Sequence, residues 1–227
     1  MSTVLLVRHG LTAVTGPVLA GWTPGVHLDE RGRAQVEALA ERLRRLPVAA
    51  VVSSPLERCL ETAQAIASGR DGLEVQVDDG VGECRYGEWT GLELKQLAKT
   101  PLWRAVQVHP SAVTFPGGEP LRETQARAVE SVRDWNSRLG ADATYVVVSH
   151  ADVIKAIVAD ALGLHLDLFQ RITVDPASLS VIIYTELRPF VLRLNDTGGS
   201  VDALMPPKRR RRRARRASDA PVGGGAG

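Results

Sequence analysis

A chain of 227 residues with 44% hydrophobic and 24% charged residues has room for one well-buried α/β domain and the composition of an ordinary globular protein. No apolar run approaches the ~20 residues that span a bilayer, and two cysteines, Cys59 and Cys84, are too few for a disulfide framework or a tetrahedral zinc site. The net charge of +2 hides an asymmetry: Lys208, Arg209 to Arg213, Arg215 and Arg216 stand against Asp219 after residue 207, so residues 1–207 carry −5.

Ser2-Thr3-Val4-Leu5-Leu6-Val7 reads as a first strand and not as a secretory signal, since it has no basic n-region and no small-residue cleavage site; the cytoplasm is the expected compartment. Val4 to Val7 is an apolar run that stops at Arg8-His9-Gly10, the pattern of a buried parallel strand with polar residues at its carboxyl end. After a long loop, Asp29 is placed as a helix N-cap, and Val36, Leu39, Ala40 and Leu43 at i, i+3, i+4 and i+7 mark an amphipathic helix ending before Pro47. Ala49 to Ser53 is the second strand. Ser54-Pro55-Leu56-Glu57 predicts a helix start in which Ser54 caps, Pro55 takes the first helical position and Glu57 completes a capping box. Arg58 then falls in the first turn, and Leu60, Ala63 and Ala67 form the inner face. Leu73 to Val77 alternates as a third strand.

Asp79 to Gly118 is broken by Gly80, Gly82, Gly87, Gly91, Pro101, Pro110, Pro116, Gly117 and Gly118. It is expected to hold at most one short helix, around Leu92 to Lys99, and to form the lid of a site. From Glu119 a long helix runs to about Leu139, with Val129, Val132, Trp135 and Leu139 on one face. Tyr145 to Ser149 is a fourth strand ending on His150, Asp152 to Leu162 is its crossover helix, and Val181 to Thr185 with Phe190 to Leu194 forms a terminal hairpin. The pattern is that of a single-domain three-layer α/β sandwich over residues 1–200, a mostly parallel sheet with helices on both faces. Residues 201–227, ending in Pro221-Val222-Gly223-Gly224-Gly225-Ala226-Gly227, have nothing to bury and are expected to be disordered.

In an open parallel sheet, ligands bind at the carboxyl ends of the strands. Arg8, His9 and His150 lie at such ends, and Arg58 opens the helix after another strand, where the backbone N–H groups also favour an anion. A mildly acidic body that gathers four cationic or potentially cationic side chains at one mouth points to a strongly anionic ligand. A phosphoryl group fits, because guanidinium groups fork onto its oxygens and a neutral imidazole can attack phosphorus. Transfer through a phosphohistidine also needs a proton donor for the leaving alkoxide. The candidate is Glu83, within Gly82-Glu83-Cys84-Arg85-Tyr86-Gly87-Glu88-Trp89, with Glu88 its nearest competitor.

These residues resemble the histidine phosphatase superfamily, the group that includes cofactor-dependent phosphoglycerate mutases. Arg8-His9-Gly10-Leu11-Thr12 resembles its opening signature, Gly21-Trp22 with Leu28 to Gln35 the next block, and Ser53-Ser54-Pro55-Leu56-Glu57-Arg58 the segment of the second arginine. Glu83 to Gly91 is similar to the acid segment, Pro116-Gly117-Gly118-Glu119-Pro120-Leu121 to the segment before the long helix, and Val148-Ser149-His150 to the second histidine. The resemblance implies His9 as phosphorylated nucleophile, Arg8, Arg58 and His150 as phosphate ligands within the catalytic set, Glu83 as proton donor, Thr15 and Gly21 as further substrate-binding positions, and neither metal nor cofactor. The chain departs from the family pattern at Leu11, a position often acidic, at Thr15, where asparagine is common, and at Ala151-Asp152, which replaces a small glycine pair; a carboxylate at 152 would repel phosphate unless turned away.

The expected activity is therefore metal-independent hydrolysis of a small phosphomonoester. The alternatives are a phosphoglycerate mutase-like phosphomutase and a non-catalytic module that binds phosphorylated ligands. The lid favours hydrolysis, offering only Arg85, Lys95, Lys99 and Arg104 for a second anionic group. Plainer readings cover the rest: Cys59 and Cys84 as buried fillers, His27, His109 and His165 as surface or loop residues, and Trp22, Trp89, Trp103 and Trp135 as packing, with Trp103 the best placed of the four to stack on a ligand. The arginine run is either a solubilising tail or a weak binder of nucleic acid, polyphosphate or an anionic membrane; nucleic-acid binding as the main function rests on it alone.

Overall fold

Every side chain from Val4 to Val7 in strand β1 (Ser2–Arg8) is buried, because both faces of the strand are covered: Val4 and Leu6 enter one core, Leu5 and Val7 the other. The structure is a computed structural model that describes residues 1–198. The arginine run, with its expected disorder and polyanion binding, lies outside the described residues.

The further strands are β2 (Ala50–Ser53), β3 (Val75–Val77), β4 (Thr144–Ser149), β5 (Leu179–Tyr184) and β6 (Pro189–Asp196), and the sheet runs β3-β2-β4-β1-β5-β6. β1 pairs in parallel with β4, and β2 with both β4 and β3, whereas β5 and β6 add an antiparallel margin. The helices are α1 (Glu30–Leu43), α2 (Glu57–Ala67), α3 (Leu94–Leu97), α4 (Pro101–Val108), α5 (Leu121–Leu139) and α6 (Ala151–Ala161). Leu39 and Leu43 of α1 with Cys59, Ala63 and Ile66 of α2 cover Leu5, Val7, Val51 and Val146 on one face. Val132 and Trp135 of α5 with Ile154 and Ile157 of α6 cover Val4, Leu6, Val52 and Val147 on the other. At roughly 1.5–3 kcal/mol for each fully buried Val or Leu, the central strands are held tightly enough to serve as a fixed base. The result is the three-layer α/β sandwich that the sequence pattern predicts.

The base matters because β1, β2 and β4 point the same way, with Arg8 opposite Ser149 and Ser53 opposite Val148. Their carboxyl ends therefore deliver Arg8-His9, Ser53-Ser54 and Ser149-His150 to one edge. α1 is drawn close beneath that edge. A Cβ on Gly32 would lie 2.0 Å from the Leu11 carbonyl oxygen, so only glycine lets the helix approach the loop after β1.

Three local expectations change. α2 starts at Glu57, and no side chain caps it. The capping box fails because the Ser54 hydroxyl is bonded to His150 Nε2 at 2.8 Å, while Glu57 accepts from the Gly25 N–H at 3.0 Å. Its buried residues are Arg58, Cys59, Thr62, Ala63, Ile66 and Ala67, so Ala63 and Ala67 lie on the inner face as expected, while Leu60 is only half-buried. The irregular segment holds two helices: Pro101 starts α4 at its first turn, with Thr100 capping the Trp103 N–H, so a residue read as an interruption is a beginning. Among the described residues no helix is long and apolar enough to cross a membrane.

Candidate active site

His9 follows directly on the end of β1. Its Nδ1 lies 2.8 Å from the Gly10 carbonyl, which accepts, so the proton sits on Nδ1 and Nε2 keeps its lone pair. That lone pair faces the Nε–H of Arg58 at 3.3 Å. Burial, then the charges of Arg58 and Arg8, hold the imidazole well below the ordinary histidine range, so it is neutral.

Arg58 is itself buried in the first turn of α2. Its Nη2 donates to the Gly21 carbonyl at 2.8 Å and faces His150 Nδ1 at 3.3 Å, while Nη1 is buried with no hydrogen-bond partner in the protein. A permanently charged donor left in this state calls for an anion. Gly21 can present its carbonyl because its φ is +51° and a side chain there would strike Thr90 Oγ1. Arg8 is anchored through Nη1 to the Val174 carbonyl at 2.8 Å.

His150 is fully buried. Since Arg58 can only donate, Nδ1 of His150 accepts and Nε2–H donates to Ser54 Oγ. Burial and the neighbouring Arg58 depress its pKa as well. Its ring centroid is 5.2 Å from that of His9, and its Nδ1 edge also faces Glu83 Oε2 at 3.7 Å.

Glu83 comes from the loop before α3, on the other side of His9. It is 4% exposed and accepts from the Cys84 N–H at 3.0 Å. Burial, reinforced by the carboxylate of Asp152, raises its pKa to about 7 against the pull of Arg58 and Arg8. The Glu83 carbonyl is held by Trp22 Nε1 at 2.7 Å and by Arg127 Nη2 at 2.9 Å. Arg127 also grips the Gly80 and Gly82 carbonyls and is paired with Glu119. Behind Glu83, Tyr86 donates to Asp152 Oδ2 at 2.9 Å and lies 3.5 Å from Glu83 Oε1. Lys155 Nζ completes this corner 3.3 Å from Asp152 Oδ1.

A small open pocket is lined by Arg8, His9, Arg58 and Glu83, together with Thr12, Thr15 and Gly21. The structure thus brings every sequence-predicted residue to one place, with three refinements. His150 stands behind Arg58, outside the pocket lining. Thr15 lines the pocket, but its hydroxyl is engaged with Thr12, at 3.1 Å to the backbone N–H and 2.8 Å to Oγ1. Asp152 does not line the pocket and is tied to Tyr86 and Lys155. Glu88, the competing acid, is exposed.

Cys59 and Cys84 are buried free thiols, and the Cys59 pKa is pushed up to about 12 by burial, which suits fillers. His27, His109 and His165 are exposed. Trp103 is buried and stacks on Trp89, which corrects its reading as the tryptophan best placed to meet a ligand. Among the described residues no group of three or more His, Cys, Asp or Glu is arranged to hold a metal ion. Sequence reasoning missed Trp22, Tyr86, Arg127 and Lys155 as parts of the site's support. Only the i, i+3 spacing of Asp152 and Lys155 offered a signal.

The family described as the histidine phosphatase superfamily (branch 1) matches the chain over residues 4–197. Phosphoserine phosphatase 1 of Hydrogenobacter thermophilus is 37% identical over 207 residues, which covers 87% of this chain and 93% of the relative. Glucosyl-3-phosphoglycerate phosphatase of Mycolicibacterium vanbaalenii is 30% identical over 172 residues, or 72% of this chain and 76% of the relative. Among solved structures, a mycobacterial glucosyl-3-phosphoglycerate phosphatase superposes with a TM-score of 0.76 at 28% identity, covering 86% of this chain and 98% of its own.

Proposed function

The chain belongs to the histidine phosphatase superfamily, and from that membership we propose that it hydrolyses small phosphomonoesters through a phosphohistidine on His9. The observation that carries this reading is the meeting, in one pocket, of a neutral imidazole lone pair, a buried Arg58 Nη1 without a partner, and a carboxyl that keeps its proton up to about pH 7.

In the first step the Nε2 lone pair of His9 forms a bond to phosphorus as the ester P–O bond breaks. The leaving oxygen takes the proton of Glu83. Arg8 and Arg58 hold the phosphoryl oxygens where charge accumulates, and Arg58 Nη1 gains the acceptor it lacks. A proton moved to Nδ1 would let His150 join them as a donor. In the second step water attacks the phosphohistidine, the Glu83 carboxylate takes its proton, the N–P bond breaks, and phosphate leaves with His9 restored. All charge stabilisation in this scheme comes from side chains, so turnover is expected to persist in EDTA.

The test uses an aryl phosphate with wild type and His9→Ala. Wild type should form an acid-labile phosphohistidine and keep its rate in EDTA, while His9→Ala should lose about 10⁴-fold or more in kcat. Equal hydrolysis by both proteins would refute the assignment.

A further inference from the structure

We propose, building on that hydrolytic reading, that Trp22 and Arg127 are positioning residues for proton transfer by Glu83. By gripping the Glu83 carbonyl they orient the peptide that joins Glu83 to Cys84, and the N–H of that peptide holds the Glu83 carboxyl so that Oε2 is the oxygen that delivers the proton.

The Glu83 carbonyl accepts from Trp22 Nε1–H at 2.7 Å and from Arg127 Nη2–H at 2.9 Å, which occupies both of its lone pairs. The Cys84 N–H belongs to the same peptide unit and donates to Glu83 Oε1 at 3.0 Å. A peptide unit is planar, and in its trans form the carbonyl and the N–H point in opposite directions. None of the peptide bonds among the described residues is cis. Two donors that fix the carbonyl therefore fix the direction of the N–H, and with it the place of Oε1. Without that anchor a glutamate side chain, with its several rotatable bonds, would spread its carboxyl over many positions. Oε1 is spent as an acceptor, which leaves the acid's proton on Oε2, the oxygen that faces His150 Nδ1 at 3.7 Å.

The two donors come from different elements. Arg127 projects from α5, whose Leu121, Ala128 and Val132 are buried in the core. Its Nη1 donates to the Gly80 and Gly82 carbonyls at 2.8 and 2.9 Å, and Glu119, paired with Nη2 at 2.7 Å, accepts from the Arg85 N–H at 2.8 Å. The chain on both flanks of Glu83 is thus referred to one guanidinium on a fixed helix. Trp22 belongs to the loop after β1, and the Arg85 guanidinium lies over its ring at 4.2 Å. The carbonyl of the preceding residue, Gly21, accepts from Arg58 Nη2 at 2.8 Å. Gly21-Trp22 therefore joins the acid to the arginine placed on the phosphoryl group, and the proton donor keeps its position relative to the ester oxygen.

The experiment reads kcat/KM against leaving-group basicity on 4-nitrophenyl, phenyl and 4-methoxyphenyl phosphate, for wild type, Trp22→Phe and Arg127→Met, each with Glu83 intact and with Glu83→Gln. Trp22→Phe deletes one donor while keeping a ring and the charge of the loop, so it decides the matter if Arg127→Met does not fold. With Glu83 intact, each substitution should lower kcat/KM about tenfold on the two esters with basic leaving groups and under about twofold on 4-nitrophenyl phosphate. In the Glu83→Gln background the same substitutions should add no further loss, because no acid is left to position. A uniform loss on all three esters, or a full additional loss beside Glu83→Gln, would assign both residues a purely structural role and overturn this inference while leaving the hydrolytic reading intact. Absence of turnover by wild type on every ester, with no phosphohistidine formed, would overturn the hydrolytic reading itself and this inference with it.

Discussion

His9 lies between two regions of opposite construction. On one side, Arg8 and His150 are set by the ends of parallel strands, and Arg58 by the first turn of a helix fed by such a strand; their positions follow from sheet register. On the other side, Glu83 sits on a loop whose carbonyls are gripped by Trp22 and Arg127 and whose rear is a buried Tyr86–Asp152–Lys155 corner. The two regions shift proton affinities in opposite directions, with His9 and His150 lowered and Glu83 raised to about 7, although His150 Nδ1 and Glu83 Oε2 are 3.7 Å apart. Desolvation is the first cause in all three. Burial favours the neutral form of a base and of an acid alike, so one physical condition yields both an attacking imidazole and a proton-donating carboxyl. Neighbouring charges then deepen each shift: the arginines act on the histidines, and Asp152 acts on Glu83.

The strand-end region should carry the larger share of the rate. Arg58→Ala removes the donor aimed at the phosphoryl group, the contact to Gly21 and one of the charges that keep His9 neutral, and is expected to lower kcat about 10³-fold. Arg58→Lys should recover only part of this, because an ammonium cannot fork between Gly21, His9 and a phosphoryl oxygen. A smaller loss on Arg58→Ala than on removal of the loop acid would reverse the ranking of the two regions.

Glu83→Gln tests the loop region. It should cost about 10²-fold for an alkyl phosphate and much less for an aryl phosphate whose leaving group needs little protonation. Equal losses on both would mean that Glu83 is not the proton donor. The same carboxyl bears on stability. Its folded pKa of about 7 lies above the ordinary carboxyl value of 4.5, so its favourable contribution is complete below pH 4.5 and is lost as pH rises through 7. Denaturation of wild type against Glu83→Gln at pH 5 and pH 8 should show wild type losing about 2.5 kcal/mol relative to the variant. The buried histidines act in the other direction, their contribution fading as pH falls below 6.5.

The same division explains what was legible in the sequence. Arg8, His9 and His150 stand out because an apolar strand that stops on a polar residue has only one place to put it, and the parallel pattern collects those places at one edge. Glu83 was legible from its block, and its position in the pocket follows from contacts far apart in sequence, such as Arg127 on a helix more than forty residues away. Nothing in the local pattern around Trp22 or Arg127 distinguishes a side chain that clamps a loop carbonyl from one that is solvated. The Ser54 capping box was misread for a related reason: local chemistry offered Ser54 to the α2 backbone, but the tertiary fold brought His150 within 2.8 Å of its hydroxyl. Pro101 was read as a breaker because proline both ends and begins helices, and the capping Thr100 beside it decided which.

The finest test of the comparison is Asp152→Asn, which changes the charge behind Glu83 while touching neither the pocket lining nor the strand ends. Glu83 is faced by Asp152, Arg58, Arg8, His150, Tyr86 and Cys84. Of these, Asp152 is the largest electrostatic cause of the raised pKa. Asparagine keeps an oxygen for the Tyr86 hydroxyl but removes the negative charge, so the Glu83 carboxyl loses its proton at lower pH than in wild type. The alkaline limb of the kcat profile should then move toward acid, with activity at pH 7 falling severalfold and activity near pH 5.5 little changed. Lys155 loses its counter-charge in this variant, so a drop in thermal stability is expected as well. A purely structural role for Asp152 would lower the rate equally at all pH values, and an unmoved alkaline limb would show that the corner behind Glu83 supports the loop without tuning the acid.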